Sequence, residues 1–189
     1  MQMPPGLKSI TARAGAPLLA ALALAGCATA PPPEPSAIVR LSATQIEQPR
    51  PGTPVTGVVR LQQRGDEVIL RGTVENLRAS GSHGFYIHEK GDCSAPDASS
   101  AGGHFNPTNK EHSFVNSGHV GDLPSLIPSA EGKAPVYHIS KHIKLSGPTS
   151  VIGKAVVVHR DRDNPAHLPD GGSGPGIACG VIEAEAPKK

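Results

Sequence analysis

Four side chains in the stretch GGHFNPTNKEHSFVNSGHVGD carry the donors of a metal site: His104, His112, His119 and Asp122. Three imidazoles and one carboxylate form a closed, borderline-soft set of four. Such a set suits tetrahedral zinc better than calcium or magnesium, which prefer oxygen. The stretch belongs to a region from 92 to 127 that is rich in Gly, Ser, Asn and His and poor in apolar residues. Long loops in a compact domain are either functional or disordered, and a bound metal would contribute directly to folding this one. Three histidines scattered through a polar loop are also what a solvated loop carries, so the donor types alone leave both readings open.

A second constellation precedes it, in GSHGFYIHEKGDC at 81 to 93. Side chains two apart on a strand point to one face, so Tyr86 and His88 are expected to aim together. Histidine at 86 would make a two-imidazole clamp. A phenol, with an ordinary pKa near 10, is a poor ligand when neutral and packs or hydrogen-bonds instead. A phenolate, which would be an anionic oxygen donor, would form only if a metal lowered that pKa. Tyr86 is equally readable as a strand-favouring aromatic with no chemical part.

The elements that must position these groups read as strands. TGVVRLQQRGDEVILRGTVENL alternates apolar with polar residues and turns at Arg64, Gly65 and Asp66, the pattern of a hairpin. Further strands are expected in GFYIHEK, VYHISKHIKL, VIGKAVVVH and GIACGVIE. No long segment holds a 3.6-residue period, so the fold class is all-β, a sandwich or barrel. A second polar loop, RDRDNPAHLPDGGSGPG, spans 160 to 176. In VYHISKHIKL, alternation sets His138, Ser140 and His142 on one face, expected to meet solvent, with Ile139, Ile143 and Leu145 opposite. His138 and His142 also offer a surface metal or interaction face.

Composition bounds the rest. The 189 residues, with 22 Gly and 20 Pro, suit one globular domain with an appended end. A net charge of +2 and 3% aromatics supply neither a basic face nor stacking platforms, so no nucleic-acid partner is expected. Residues 1–27 pass from Lys8 and Arg13 through APLLAALALAG to Cys27, the layout of a secretory signal. Its end resembles a bacterial lipoprotein signal. That resemblance implies lipid on Cys27, a membrane anchor and, with Ala28 following, an outer-membrane protein facing the periplasm. An ordinary cleaved signal is the other reading. Residues 28–36 are Pro-rich and read as a tether, leaving 37–189 as the domain. If Cys27 carries lipid, Cys93 and Cys179 remain as an even pair in an oxidising compartment, where a disulfide is the simple expectation and free thiols the alternative.

GSHGFYIHEKGDC, SAGGHFNP, HVGDL, VIGKAVVVH and GIACGVI, in this order, resemble the signature blocks of the copper/zinc superoxide dismutase family. The resemblance implies a Greek-key β-barrel with a metal site on its outer wall, enclosed by the two long loops. It also supports the Cys93–Cys179 disulfide. Position by position, it makes His104 the ligand bridging two metals, and His112, His119 and Asp122 the remaining zinc ligands. On the copper side His88, His104 and His159 match, and Tyr86 occupies the fourth position, normally histidine. His83 matches a structural histidine that binds no metal. Asp163 matches an aspartate that joins a copper-ligand imidazole to a zinc-ligand imidazole. With the copper-side imidazole missing, Asp163 is expected to turn to the zinc ligand alone or to the Tyr86 hydroxyl, unless it is a solvated loop residue.

The family also carries an arginine three residues before the final cysteine, to draw the superoxide anion to copper. This chain has Gly176 there, and Arg160, Arg162, Lys154 and Lys90 are the cations near enough in sequence to substitute. His167 is a possible replacement copper ligand. The family reaction alternates Cu(II) and Cu(I), oxidising one superoxide to oxygen and reducing the next to hydrogen peroxide. A chain lacking one copper ligand and the guiding arginine is expected to keep zinc, to hold copper less well, and to show weak or no dismutase activity. The alternatives are a working dismutase acting on superoxide and a noncatalytic surface interaction module whose protein partner is unknown.

Overall fold

A computed structural model describes Gln2 and residues 34–186. Cys27, the rest of the expected signal segment apart from Gln2, and most of the expected tether lie outside the described residues. Within them the chain forms seven antiparallel strands: β1 (Ser36–Ala43), β2 (Thr56–Arg64), β3 (Glu67–Glu75), β4 (Phe85–Ile87), β5 (Ala134–Ser140), β6 (Ala155–His159) and β7 (Gly176–Glu185). They hydrogen-bond in the order β4-β6-β7-β1-β2-β3-β5. β3 therefore neighbours β5, while β4, which follows β3 in sequence, lies at the opposite edge. That crossover is the Greek-key connection, and the sheet curls into a half-barrel.

Period-two alternation gives the curled sheet its buried inner face. On β2 and β3, Val59 faces Gly72 and Leu61 faces Leu70, and with Val68 and Val74 these valines and leucines enter the core. The hairpin turns through Gly65 and Asp66 as the sequence pattern requires. β1 lies between β2 and β7 and contributes Ala37, Val39 and Leu41 to the same core. Pro35 and Glu34 already accept hydrogen bonds from Gln63 and Gly65, so contact with the barrel begins in the last residues of the Pro-rich stretch.

The outer wall at β4, β6 and β7 is also buried, by the loops. Phe85 and Ile87 point inward to the core, while Tyr86 between them is 1% exposed on the other face. Beside it, Val157, Ala155 and Cys179 pack against Ala101 of a short 3₁₀ turn, Ser99–Ala101, and against Ala98 just before it, in the loop from 88 to 133. The Cys93–Cys179 disulfide ties this loop to β7 across 86 residues of sequence. In the chain-entropy description such a closure stabilises the fold by about 4–5 kcal/mol.

β5 departs from expectation. The strand stops at Ser140, whose Oγ accepts the N–H groups of His142 and Ile143, both at 3.1 Å, and turns the chain. Its inward face is Ala134, Val136, His138 and Ser140, and its outward face is Pro135, Tyr137 and Ile139. His138 is therefore half-buried on the inner side and only His142 is exposed, so the pair does not form a solvent-facing site.

Candidate metal centre

The loop from 88 to 133 brings the four expected zinc donors together. His104, His112, His119 and Asp122 are all buried, with one ligand atom from each within 4.8 Å of the others. Asp122 Oδ1 lies 3.0 Å from His104 Nδ1 and 3.3 Å from His119 Nδ1, and Oδ2 lies 3.2 Å from His112 Nδ1. The Nδ1 atoms of His104 and His119 are 3.3 Å apart. A tetrahedron with bonds of about 2.0–2.1 Å has edges of about 3.3 Å, so these spacings are those of ligands around one zinc ion. His112 Nδ1 is buried without a hydrogen-bond partner, which an ion among the four would supply. The His119 N–H donates to Asp122 Oδ2 at 2.9 Å and fixes the carboxylate. Neighbouring histidines, mainly His104, hold the Asp122 carboxyl below its ordinary pKa against the opposing effect of burial.

Tyr86 lies against this cluster. Its ring stacks on His104 with centroids 3.9 Å apart and 27° between planes. Its hydroxyl donates to Asp163 Oδ1 at 2.8 Å and lies 2.7 Å from Ser173 Oγ. The same Asp163 oxygen accepts from His112 Nε2 at 2.8 Å. Asp163 thus does both things the sequence left as alternatives, joining the zinc-ligand imidazole and the tyrosine hydroxyl. Burial, above all, raises the Tyr86 pKa well beyond its ordinary value in the metal-free fold, which favours the neutral phenol.

The second loop closes over this chain of contacts. Gly171 adopts φ +73°, and a side chain there would collide with Asp163 Oδ1 and begin 2.7 Å from His112 Nε2 and 3.0 Å from Tyr86 Oη. Ser173 was not foreseen. It is the hydroxyl residue in the glycine run GGSG, and its buried position reflects the close approach that its flanking glycines allow.

His88 and His159 meet on the other side of His104. His88 Nδ1 donates to the Gly102 carbonyl at 2.8 Å and His159 Nδ1 to the Gly174 carbonyl at 2.7 Å. Those bonds fix the tautomers, so the two Nε2 lone pairs face each other at 3.2 Å. Desolvation lowers the His88 pKa to about 3 and that of His159 to about 4, keeping both rings neutral. A register shift between Val158 and His159 where β6 pairs with β7 is a local bulge of the kind that re-aims a side chain beside a site. His83 donates Nδ1 to the His159 carbonyl at 2.9 Å, a structural position outside both donor sets.

The arrangement opens to solvent through a cleft of about 590 Å³ lined by His88, His104 and His159 and by Asp97, Asp170 and Gly176 among others. Gly176 is tightly enclosed. Its N–H donates to the Asp97 carbonyl at 3.0 Å, and a Cβ would begin 2.7 Å from Val157 Cγ1 and 2.8 Å from that carbonyl oxygen. The candidate substitute cations are engaged elsewhere or stand apart. Arg160 pairs with Asp161 at 2.9 Å, and Lys154 lies 4.2 Å over the Phe105 ring and donates to the Glu89 carbonyl. Neither they nor Lys90 and Arg162 line the cleft. His167 is turned to Asp170 at 3.2 Å and is not in the copper-side group.

Residues 55–182 match the family model described as copper/zinc superoxide dismutase. The chain belongs to the copper/zinc superoxide dismutase family. It is 38% identical over 184 residues to the superoxide dismutase-like protein YojM of Bacillus subtilis (strain 168), covering 87% of this chain and 92% of that protein. It is 38% identical over 144 residues to a copper/zinc superoxide dismutase of Onchocerca volvulus, covering 69% of this chain and 90% of the relative. Among solved structures it resembles that of the clock protein EA4, with a TM-score of 0.68 and 33% identity over 78% of this chain and 93% of the other. A superoxide dismutase-like fold with a zinc-type His₃Asp cluster is therefore established.

Proposed function

We propose that this chain is a zinc-holding member of the family with a depleted copper sphere and weak or no dismutase activity. One observation carries the reading: the Tyr86 hydroxyl is committed to Asp163 and Ser173. At that position a fourth nitrogen would be needed to keep copper bound through its redox cycle. The His104, His112, His119 and Asp122 set holds zinc, which cannot cycle and serves structure. Bound copper would supply the one-electron alternation of the family reaction. His88 and His159 remain to hold it, with the second nitrogen of His104 beside them. Gly176 in place of a guiding arginine supports the same reading, because the cleft then lacks a positive charge to attract superoxide.

The Cys27 segment supports placement of the mature protein as a lipid-anchored lipoprotein of the bacterial outer membrane, facing the periplasm. Mass spectrometry of the native N-terminus tests that placement: an acylated Cys27 is expected, and an unmodified N-terminus at another residue would refute it. For the functional reading, metal content and superoxide consumption are measured after zinc and copper loading, for wild type and Tyr86→His. One zinc per chain with slow turnover in the wild type is expected.

A further inference from the structure

We propose that His88 and His159 form a site selective for the cuprous ion, so that the cleft captures and retains reduced copper. This rests on the reading above that Tyr86 supplies no fourth copper donor. Each ring has its Nδ1 proton committed to a backbone carbonyl, Gly102 O for His88 and Gly174 O for His159. Both Nε2 lone pairs are therefore directed at the same small volume, 3.2 Å apart. Two lone pairs at that distance repel unless a cation lies beside both.

The available donors are few and uncharged. His104 offers its second nitrogen on this side, since its Nδ1 faces Asp122, and its ring lies edge-on to His88 with centroids 5.1 Å apart. The Tyr86 ring stacked on His104 fills the place of any fourth donor. Cupric ion prefers four nitrogen or oxygen donors in a tetragonal arrangement. A d¹⁰ cuprous ion has no such geometric demand and is satisfied by two or three neutral imidazoles.

The approach also selects for a cation. Asp97 and Asp170 are the acidic residues of the cleft wall, and no Lys or Arg lines it among the described residues. Asp170 is itself turned to His167 and to the Gly172 N–H, so it contributes field rather than a fixed donor. A concave site lined by one sign of charge concentrates the opposite ion. The cleft is here a cation funnel leading to two neutral imidazole donors.

The zinc-loaded full chain is titrated anaerobically with Cu(I) against a cuprous chelator and, separately, with Cu(II) against a cupric chelator. One Cu(I) per chain is expected, held at least about 100-fold more tightly than Cu(II). His88→Ala and His159→Ala should each weaken Cu(I) binding by at least about tenfold, the scale on which metal sites respond to lost support, with zinc content unchanged. Tyr86→His should narrow the gap between the two valences. His159 lies at the half-buried rim, so its variant remains informative if His88→Ala disturbs folding. Equal retention of Cu(II) and Cu(I), or Cu(I) binding unchanged in both histidine variants, would overturn the proposal. Superoxide consumption on the same samples separates the two readings. Rapid turnover contradicts the depleted dismutase, whereas slow turnover with firmly held Cu(II) contradicts cuprous selectivity alone.

Discussion

Tyr86 Oη donates to Asp163 Oδ1 at 2.8 Å, and that same oxygen accepts the His112 Nε2 proton at 2.8 Å. The phenol thus completes the outer support of a zinc ligand without contributing a ligand of its own. Asp163 holds His112 in the tautomer that presents Nδ1 to the zinc set, and Tyr86 holds Asp163.

Tyr86→Phe should weaken zinc binding by up to about tenfold, the low end of what loss of a ligand's direct partner costs, because Asp163 itself remains on His112. It should also cost about 1–3 kcal/mol, because Asp163 and Ser173 lose a buried partner. Tyr86→His, which restores an N–H toward Asp163, should retain zinc affinity. Competition with a zinc chelator and denaturant unfolding measure the two effects. Equal zinc affinity in Tyr86→Phe and wild type would remove the positioning role.

Gly171→Ala should damage the same chain from the other side. Its φ of +73° is strained for alanine, and the new Cβ would press on Asp163 and His112. Gly147 has a similar φ of +77° with open space around its Cβ position, so Gly147→Ala isolates the backbone cost, about 1–3 kcal/mol. Gly171→Ala should lose more stability than this control, and it alone should lose zinc affinity.

Burial raises the Tyr86 pKa, so in the metal-free folded state this phenol keeps its proton where the unfolded chain has released it. Below the unfolded value near 10 the contribution to stability is complete; above it the unfolded state binds fewer protons, and stability falls as pH rises. Wild-type protein stripped of metal should lose up to about 1.4 kcal/mol more per pH unit above pH 10 than Tyr86→Phe. Denaturant midpoints between pH 8 and 11 test this, and parallel slopes would contradict it.

Gly176→Arg should not restore anion guidance. The Cβ would begin 2.7 Å from Val157 Cγ1 and 2.8 Å from the Asp97 carbonyl oxygen, so the loop must shift before the guanidinium reaches the cleft. The expected result is lower stability, seen in the unfolding midpoint, with no gain in superoxide consumption even when combined with Tyr86→His.

The β2–β3 hairpin was legible because alternation and a Gly-Asp turn agree over twenty residues, and the zinc quartet because donor chemistry and ordered sequence blocks point to the same four positions. β1 was not recognised as a strand, since SAIVRLSA lies between proline-rich segments that mask its period. The faces of His138 and His142 were misread because one serine hydroxyl ends β5 early, and alternation carries no information beyond a strand's end. Asp163 was foreseen as a bridge, but its sharing between Tyr86 and His112 depends on loop closure at Gly171 and Ser173. That closure joins residues nearly ninety positions apart, beyond the reach of any local pattern.

The most direct test is superoxide consumption by the unmodified protein after loading with both zinc and copper, with the metal content of each sample determined. The account predicts a filled zinc site and turnover far below the diffusional range of about 10⁸–10⁹ M⁻¹s⁻¹. Turnover approaching that range, with a copper centre repeatedly reduced and reoxidised by the substrate, would contradict it.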